Sequence, residues 1–101
     1  MAETFFQVVV RYTVQPGEIG AVVQLLGEMA AATRAEEANL GYEFFQGVDN
    51  PAQIVILERY SDAAGFAAHR DYEHFQRIGV SQIIPRLESR AIQTYENATD
   101  S

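Results

Sequence analysis

Cysteine and tryptophan are absent from this chain of 101 residues, histidine occurs twice, and proline three times. Without cysteine there are no disulfides, thiolate metal sites or cysteine nucleophiles, and nothing requires an oxidising compartment. Basic residues are scarce: seven arginines and no lysine against fourteen acids give a formal charge of −7. Such a field repels nucleic acid and anionic lipid and leaves small molecules or proteins as the expected partners. No apolar run reaches membrane-spanning length, and the start, Met1-Ala2-Glu3-Thr4, is acidic with no basic leader-like region. A soluble cytoplasmic protein is expected.

What is present is ordinary for a globular chain. Apolar residues make up 48% and charged residues 21%, which excludes disorder as the default, and the length suits one domain with one core. Thr4 to Val14 is rich in β-branched and aromatic residues and predicts a strand, broken by the turn residues Gln15-Pro16-Gly17-Glu18. From Glu18 to about Glu37, Ile19, Val22, Val23, Leu26, Met29, Ala30 and Thr33 recur at helical spacing. Leu40–Val48 and Gln53–Tyr60 read as a hairpin turning at Asp49-Asn50-Pro51. Ser61-Asp62 supplies a helix cap, Pro85 ends the helical region at Ile84, Leu87–Glu96 forms a last strand, and residues 97–101 are a polar tail beyond a single domain spanning 1–96.

The order βαββ(αα)β is the split βαβ, or ferredoxin-like, arrangement: an α+β fold whose first and third strands lie at the centre of a four-stranded antiparallel sheet. Val8-Val9-Val10 and Ile54-Val55-Ile56-Leu57 are continuous apolar runs, whereas a strand with one wet face alternates. Helices can cover only one face of such a sheet. The other face is expected to meet a second copy of the chain, giving a homodimer packed through sheet faces.

Both histidines lie in the segment Glu58–Phe75, which gathers the chain's candidate chemistry. On a regular strand Ile54, Ile56, Glu58 and Tyr60 share one face. Glu58 is either a carboxylate beside an apolar pocket, where desolvation raises its pKa, or a structural bridge to Arg11, Arg59 or Arg90, and the bridge is the expected role. His69 is either a core imidazole or a proton acceptor near neutral pH, and His74 a cap or packing partner beside Phe75. The two are five residues apart and diverge on one continuous helix, which argues against a metal pair; Glu73 adds only a weak second ligand to His69. Arg34 and Glu36 are expected to end the long helix and order the following turn. Among the aromatics Tyr12, Tyr42, Phe44, Phe66, Tyr72 and Phe75, most are expected in the core, with Phe66 and Tyr60 as walls of a flat pocket.

Tyr12-Thr13-Val14 with Pro16-Gly17, Thr33-Arg34-Ala35-Glu36, Tyr42, Glu58-x-Tyr60, Ala68-His69 and His74-Phe75 together resemble the antibiotic biosynthesis monooxygenase domain, over roughly Phe5 to Glu96. The resemblance implies a dimeric α+β barrel of ferredoxin-like protomers, each with a pocket between sheet and helices. Members include small oxygenases that convert phenols and quinols to quinones without flavin, haem or metal; others degrade haem or act on small carbonyl signals. This chain departs from the pattern at Glu36-Glu37-Ala38-Asn39, where the family shows Glu-Pro-Gly-Cys, and Asn39 is expected to supply a left-handed cap there. It departs again at Tyr60, where tryptophan is common. The haem-degrading branch carries a ligating histidine ten residues after a pocket tryptophan; those places hold Gly79 and His69 here, and Val10 replaces a strand asparagine, so haem binding should fail.

The resemblance therefore implies a monooxygenase that needs no cofactor and oxidises a small aromatic, phenolic or quinol-like substrate with O2. His69 and Tyr60 are its expected catalytic residues, and Phe66, Tyr12, Ile56, His74 and Tyr72 its expected substrate contacts, with no metal ligand. Isomerase or lyase chemistry on a small carbonyl compound, which would run anaerobically, and a noncatalytic ligand-binding dimer remain open, because family membership does not settle the reaction.

Overall fold

The computed structural model describes residues 3–100. Strand β1 (Phe5–Val14) is followed by helix α1 (Ile19–Thr33), the hairpin β2 (Asn39–Gln46) and β3 (Gln53–Tyr60), helix α2 (Ala63–Asp71), a helix wound with i→i+5 bonds that we call α3 (Phe75–Ile83), and strand β4 (Leu87–Ala98). The sheet order β2-β3-β1-β4 is antiparallel throughout and puts the two most apolar strands, β1 and β3, at the centre. This is the expected ferredoxin-like α+β arrangement.

Period-two alternation sorts the central strands. Phe6, Val8 and Val10 of β1 and Ile54, Ile56, Glu58 and Tyr60 of β3 are buried beneath the helices. Against them α1 packs Val22, Leu25, Leu26, Met29 and Ala30, where each large apolar side chain contributes about 1.5–3 kcal/mol by leaving water. The opposite sheet face carries Val9, Val55 and Leu57, only part-buried, and the exposed Phe45 and Tyr95.

Two glycines answer backbone demands. Gly17 adopts φ +85° in the turn before α1, where a side chain would be strained. At Gly65 a Cβ would meet the Ala38 Cβ at 2.7 Å, so glycine lets α2 lie against the chain that follows α1. The Asp62 carboxylate accepts the Gly65 N–H at 2.9 Å and caps α2 as expected.

Four boundaries differ from the sequence reading. Helix α1 stops at Thr33, and two turns follow, closed by Glu36 N–H to Thr33 O and Asn39 N–H to Glu36 O. Asn39 opens β2 rather than adopting a left-handed cap; the one positive φ outside glycine among the described residues is at Asn97. The helical region runs past Ile84 into a 3₁₀ turn, Ile84–Arg86, because Pro85 sits in its first turn, where a missing N–H costs nothing. Strand β4 extends through Ala98, which pairs with Phe5, so the first residues of the expected tail belong to the strand, with Asn97 in the irregularity between the Phe5 and Gln7 pairs; Ser101 lies outside the described residues. Among the described residues no helix is long and apolar enough to cross a membrane.

Candidate functional site

The site forms where β3, α2 and the turns after α1 meet. Glu58 and Tyr60 alternate onto the helix face of β3, and the Tyr60 hydroxyl donates to Glu58 Oε1 at 2.6 Å. Helix α2 sets His69 over them in its last turn, buried, with its Nε2 3.7 Å from Glu58 Oε1. The other ring nitrogen, Nδ1, lies 2.8 Å from Glu36 Oε2. Tyr72 then takes an extended conformation (φ −65°, ψ 147°), which ends α2 and turns His74 back, so that its Nε2 lies 2.6 Å from the same Glu36 oxygen. Glu36 is held in place by its two backbone turns, and Ala38 O accepts the Ser61 N–H, tying those turns to the end of β3.

Five side chains thus form a row, buried except for the partly exposed His74 at its end: His74, Glu36, His69, Glu58 and Tyr60. A carboxylate at Glu36 accepts from both imidazoles. Nδ1 of His69 is then its N–H, and Nε2 presents a lone pair toward Glu58. Rings surround the imidazole: Phe75 edge-on at 5.1 Å between centroids, Tyr60 at 5.6 Å and Phe66 nearly parallel at 6.2 Å. Burial holds the His69 pKa below the usual 6.5, against the opposing pull of Glu36, and so favours the neutral ring. Burial raises Glu58 to about 7, with the Tyr60 hydrogen bond pulling the other way and Glu36 adding to the rise. The Tyr12 hydroxyl is raised to about 12, chiefly by burial, and Tyr42 is raised well above 10 for the same reason.

His69 and Glu58 form one side of a cavity closed by Val10, Tyr12 and Tyr42 from the sheet and by Met29, Phe66, Phe75 and Ile84 from the helical layer, with Arg90 and Ile92 of the exposed strand β4 at its rim. Its enclosed room is about 30 Å³, enough for roughly two water molecules. A diatomic molecule is within that volume and an aromatic ring exceeds it.

Of the residues expected to form the site, His69, Phe66 and Tyr12 line this cavity, and Tyr60 stands behind it, its ring packed on those of His69 and Phe66 and its hydroxyl on Glu58. Ile56 is a core residue off the cavity wall, while Tyr72 is 40% exposed on the far side of the site and stacks on the His74 ring at 5.1 Å. His74 does not line the cavity either; instead of capping α3 through its side chain, it bonds Glu36.

Three expectations fail for identifiable reasons. Among the described residues Glu58 pairs with none of the three expected arginines: Arg11 and Arg59 alternate to the opposite sheet face, where Arg59 binds Asp100 at 2.8 Å, Arg90 lines the cavity without bridging to Glu58, and Glu58 instead accepts from Tyr60. Glu36 does not pair with Arg34, whose guanidinium donates to Tyr42 O at 2.7 Å, and Glu36 faces inward to the histidines. The divergence of His69 and His74 assumed one continuous helix, and the break at Tyr72 removes it; Glu73 is exposed and pairs with Arg77. The residue missed was Glu36. Its only sequence signal was its place within Thr33-Arg34-Ala35-Glu36, two residues after the helix periodicity fades at Thr33–Arg34.

Known proteins repeat this architecture. The "Putative monooxygenase Rv0793" of Mycobacterium tuberculosis is 28% identical over 81 residues, covering 78% of this chain and 79% of that protein. Its solved structure superposes with a TM-score of 0.87 at 23% identity, over 97% of this chain and 99% of that one. A crystal structure described as an antibiotic biosynthesis monooxygenase gives a TM-score of 0.85 at 26% identity, covering 92% of this chain and 98% of its own. The model of the antibiotic biosynthesis monooxygenase family matches residues 5–79, which carry every member of the row from Glu36 to His74. The chain belongs to the antibiotic biosynthesis monooxygenase family.

Proposed function

We propose that this protein is a monooxygenase that oxidises a small phenolic or quinol-like ring with O2 and no resident cofactor, using His69 as its base. The family and its monooxygenase-named relatives support the reaction class. The observation that carries the residue assignment is the buried Glu36–His69 pair, which fixes the Nδ1–H tautomer and leaves Nε2 on the cavity side beside Glu58.

Ground-state O2 is a triplet, and a closed-shell ring reacts with it only once it is electron-rich enough to release one electron. His69 Nε2 takes the substrate hydroxyl proton, and the phenolate transfers an electron to O2. The radical pair joins into a C–O bond, and the resulting peroxide loses its outer oxygen as water, accepting the proton back from His69. The ring carbon gives up its hydrogen and becomes a carbonyl. One ring C–H and one O–H are consumed with one O2, giving a quinone and one water, so the substrate supplies every electron. Glu36 stabilises the transient imidazolium, Tyr60 orients Glu58, and the aromatic walls exclude water.

Metal-free protein is expected to consume one O2 per quinone formed from simple quinols, and to give no turnover anaerobically, measured with an oxygen electrode and by absorbance. Turnover of a carbonyl substrate at the same rate without oxygen would instead support the isomerase or lyase reading.

The same proposal includes a homodimer, supported by the open sheet face, where Phe45 and Tyr95 are about half exposed beside part-buried Val9, Val55 and Leu57. Covering several hundred Å² of such a face at about 25 cal/mol per Å² is a strong drive to associate. Sedimentation at micromolar concentration is expected to give twice the 11.3 kDa chain mass; Leu57→Glu should shift it to a monomer. A native monomer would remove the dimer.

A further inference from the structure

Glu36, His69 and His74 do more than orient one base. Each offers one ligand atom, and the three atoms lie within 4.8 Å of one another. They are Glu36 Oε2, His69 Nδ1 and His74 Nε2, on three separate pieces of backbone: the turns after α1, the end of α2 and the start of α3. Nothing in the proposed oxygenation needs His74. A histidine turned back by a helix break onto an already occupied carboxylate is an arrangement the base alone does not explain.

We propose that these three side chains form a binding site for a divalent first-row transition metal ion such as Zn²⁺. Two imidazoles and one carboxylate are a recurrent zinc set, with a fourth place for water. The present contacts of 2.6 and 2.8 Å are hydrogen bonds. Tetrahedral metal bonds of about 2.0–2.1 Å set ligand atoms about 3.3–3.4 Å apart, so the two carboxylate–imidazole contacts must open by roughly half an ångström or more and the two imidazole nitrogens, within 4.8 Å of each other, adjust with them. Glu36 also lines a surface groove with Glu37, Ala68 and Tyr72, and His74 keeps some exposure, so the site lies close to solvent. Behind His69, Glu58 stands 3.7 Å from the outer nitrogen, the place where a metal-bound histidine usually donates to a carboxylate.

Occupancy has a consequence. A metal on His69 Nδ1 moves the ring proton to Nε2, which then points at Glu58, and the lone pair facing the cavity disappears. The ion would therefore inhibit the oxygenase rather than serve it. This consequence rests on the proposed function; the binding does not.

Titration of the metal-free protein with Zn²⁺ and Co²⁺ tests the site. The expected result is one ion per chain, visible absorption from bound Co²⁺, and a Zn²⁺-dependent rise in Tm. His74→Ala and Glu36→Gln should each weaken binding at least about tenfold, while Glu37→Gln, an exposed neighbour, should not. His74 starts a helix and is partly exposed, so His74→Ala keeps the fold, which its circular dichroism checks. Absence of binding, or binding of equal strength in His74→Ala, overturns the site. Intact binding with undiminished oxygen uptake overturns the role of His69 as base and leaves the metal site standing.

Discussion

His69→Ala is expected to lower kcat for oxygen consumption by about 10²- to 10⁴-fold, the range for a lost general base. The imidazole is the one neutral base whose free nitrogen faces the cavity, and Glu36 both fixes its tautomer and stabilises its charged form. Removing it leaves the proton to Glu58, whose carboxyl already accepts from the Tyr60 hydroxyl and stands in a different position. KM should change little, because Phe66, Tyr12, Tyr42 and Phe75 still line the cavity. His69 is buried, so the variant must first be shown to fold by circular dichroism and thermal melting. A folded variant with unchanged oxygen uptake contradicts the assignment.

Glu58→Gln should change how stability depends on pH. Burial raises the Glu58 pKa from 4.5 to about 7 in the folded protein. The folded state therefore favours the protonated carboxyl. The resulting stability is fully present below about pH 4.5 and is lost as the pH rises through 7. Ionisation at higher pH then costs the native protein about 3 kcal/mol. Glutamine cannot ionise, and its carbonyl still accepts the Tyr60 hydroxyl. Between pH 4 and pH 8 the variant should gain about 3 kcal/mol over the native chain, read by urea unfolding at one fixed protein concentration. Parallel pH profiles would show that Glu58 is ionised in the folded state.

Much of the fold was legible because it rests on periodicity. The runs Val8–Val10 and Ile54–Leu57 declared the central strands, and the 3.6-residue recurrence from Ile19 to Thr33 declared α1. The site was legible only in part. Alternation put Glu58 and Tyr60 on one face of β3, the face that meets the helices, and it also carried Arg11 and Arg59 away from Glu58. Convergence was not legible. Glu36 turns inward because α1 ends three residues earlier and two backbone turns follow, and His74 returns because Tyr72 is extended. Both depend on local backbone breaks that composition does not announce. The π winding of α3 was likewise invisible, since Ile78, Gly79 and Ile83, its buried residues, fit an ordinary helix pattern.

The central claim is that Glu36 holds His69 as a neutral base with its lone pair toward the cavity. Nitrogen-15 NMR of the ring in metal-free protein at pH 7 reads this directly, independent of substrate. The account predicts a proton on Nδ1, a shift in the hydrogen-bonded range for that nitrogen, and an unprotonated Nε2. A proton on Nε2, with Nδ1 bare, would contradict it.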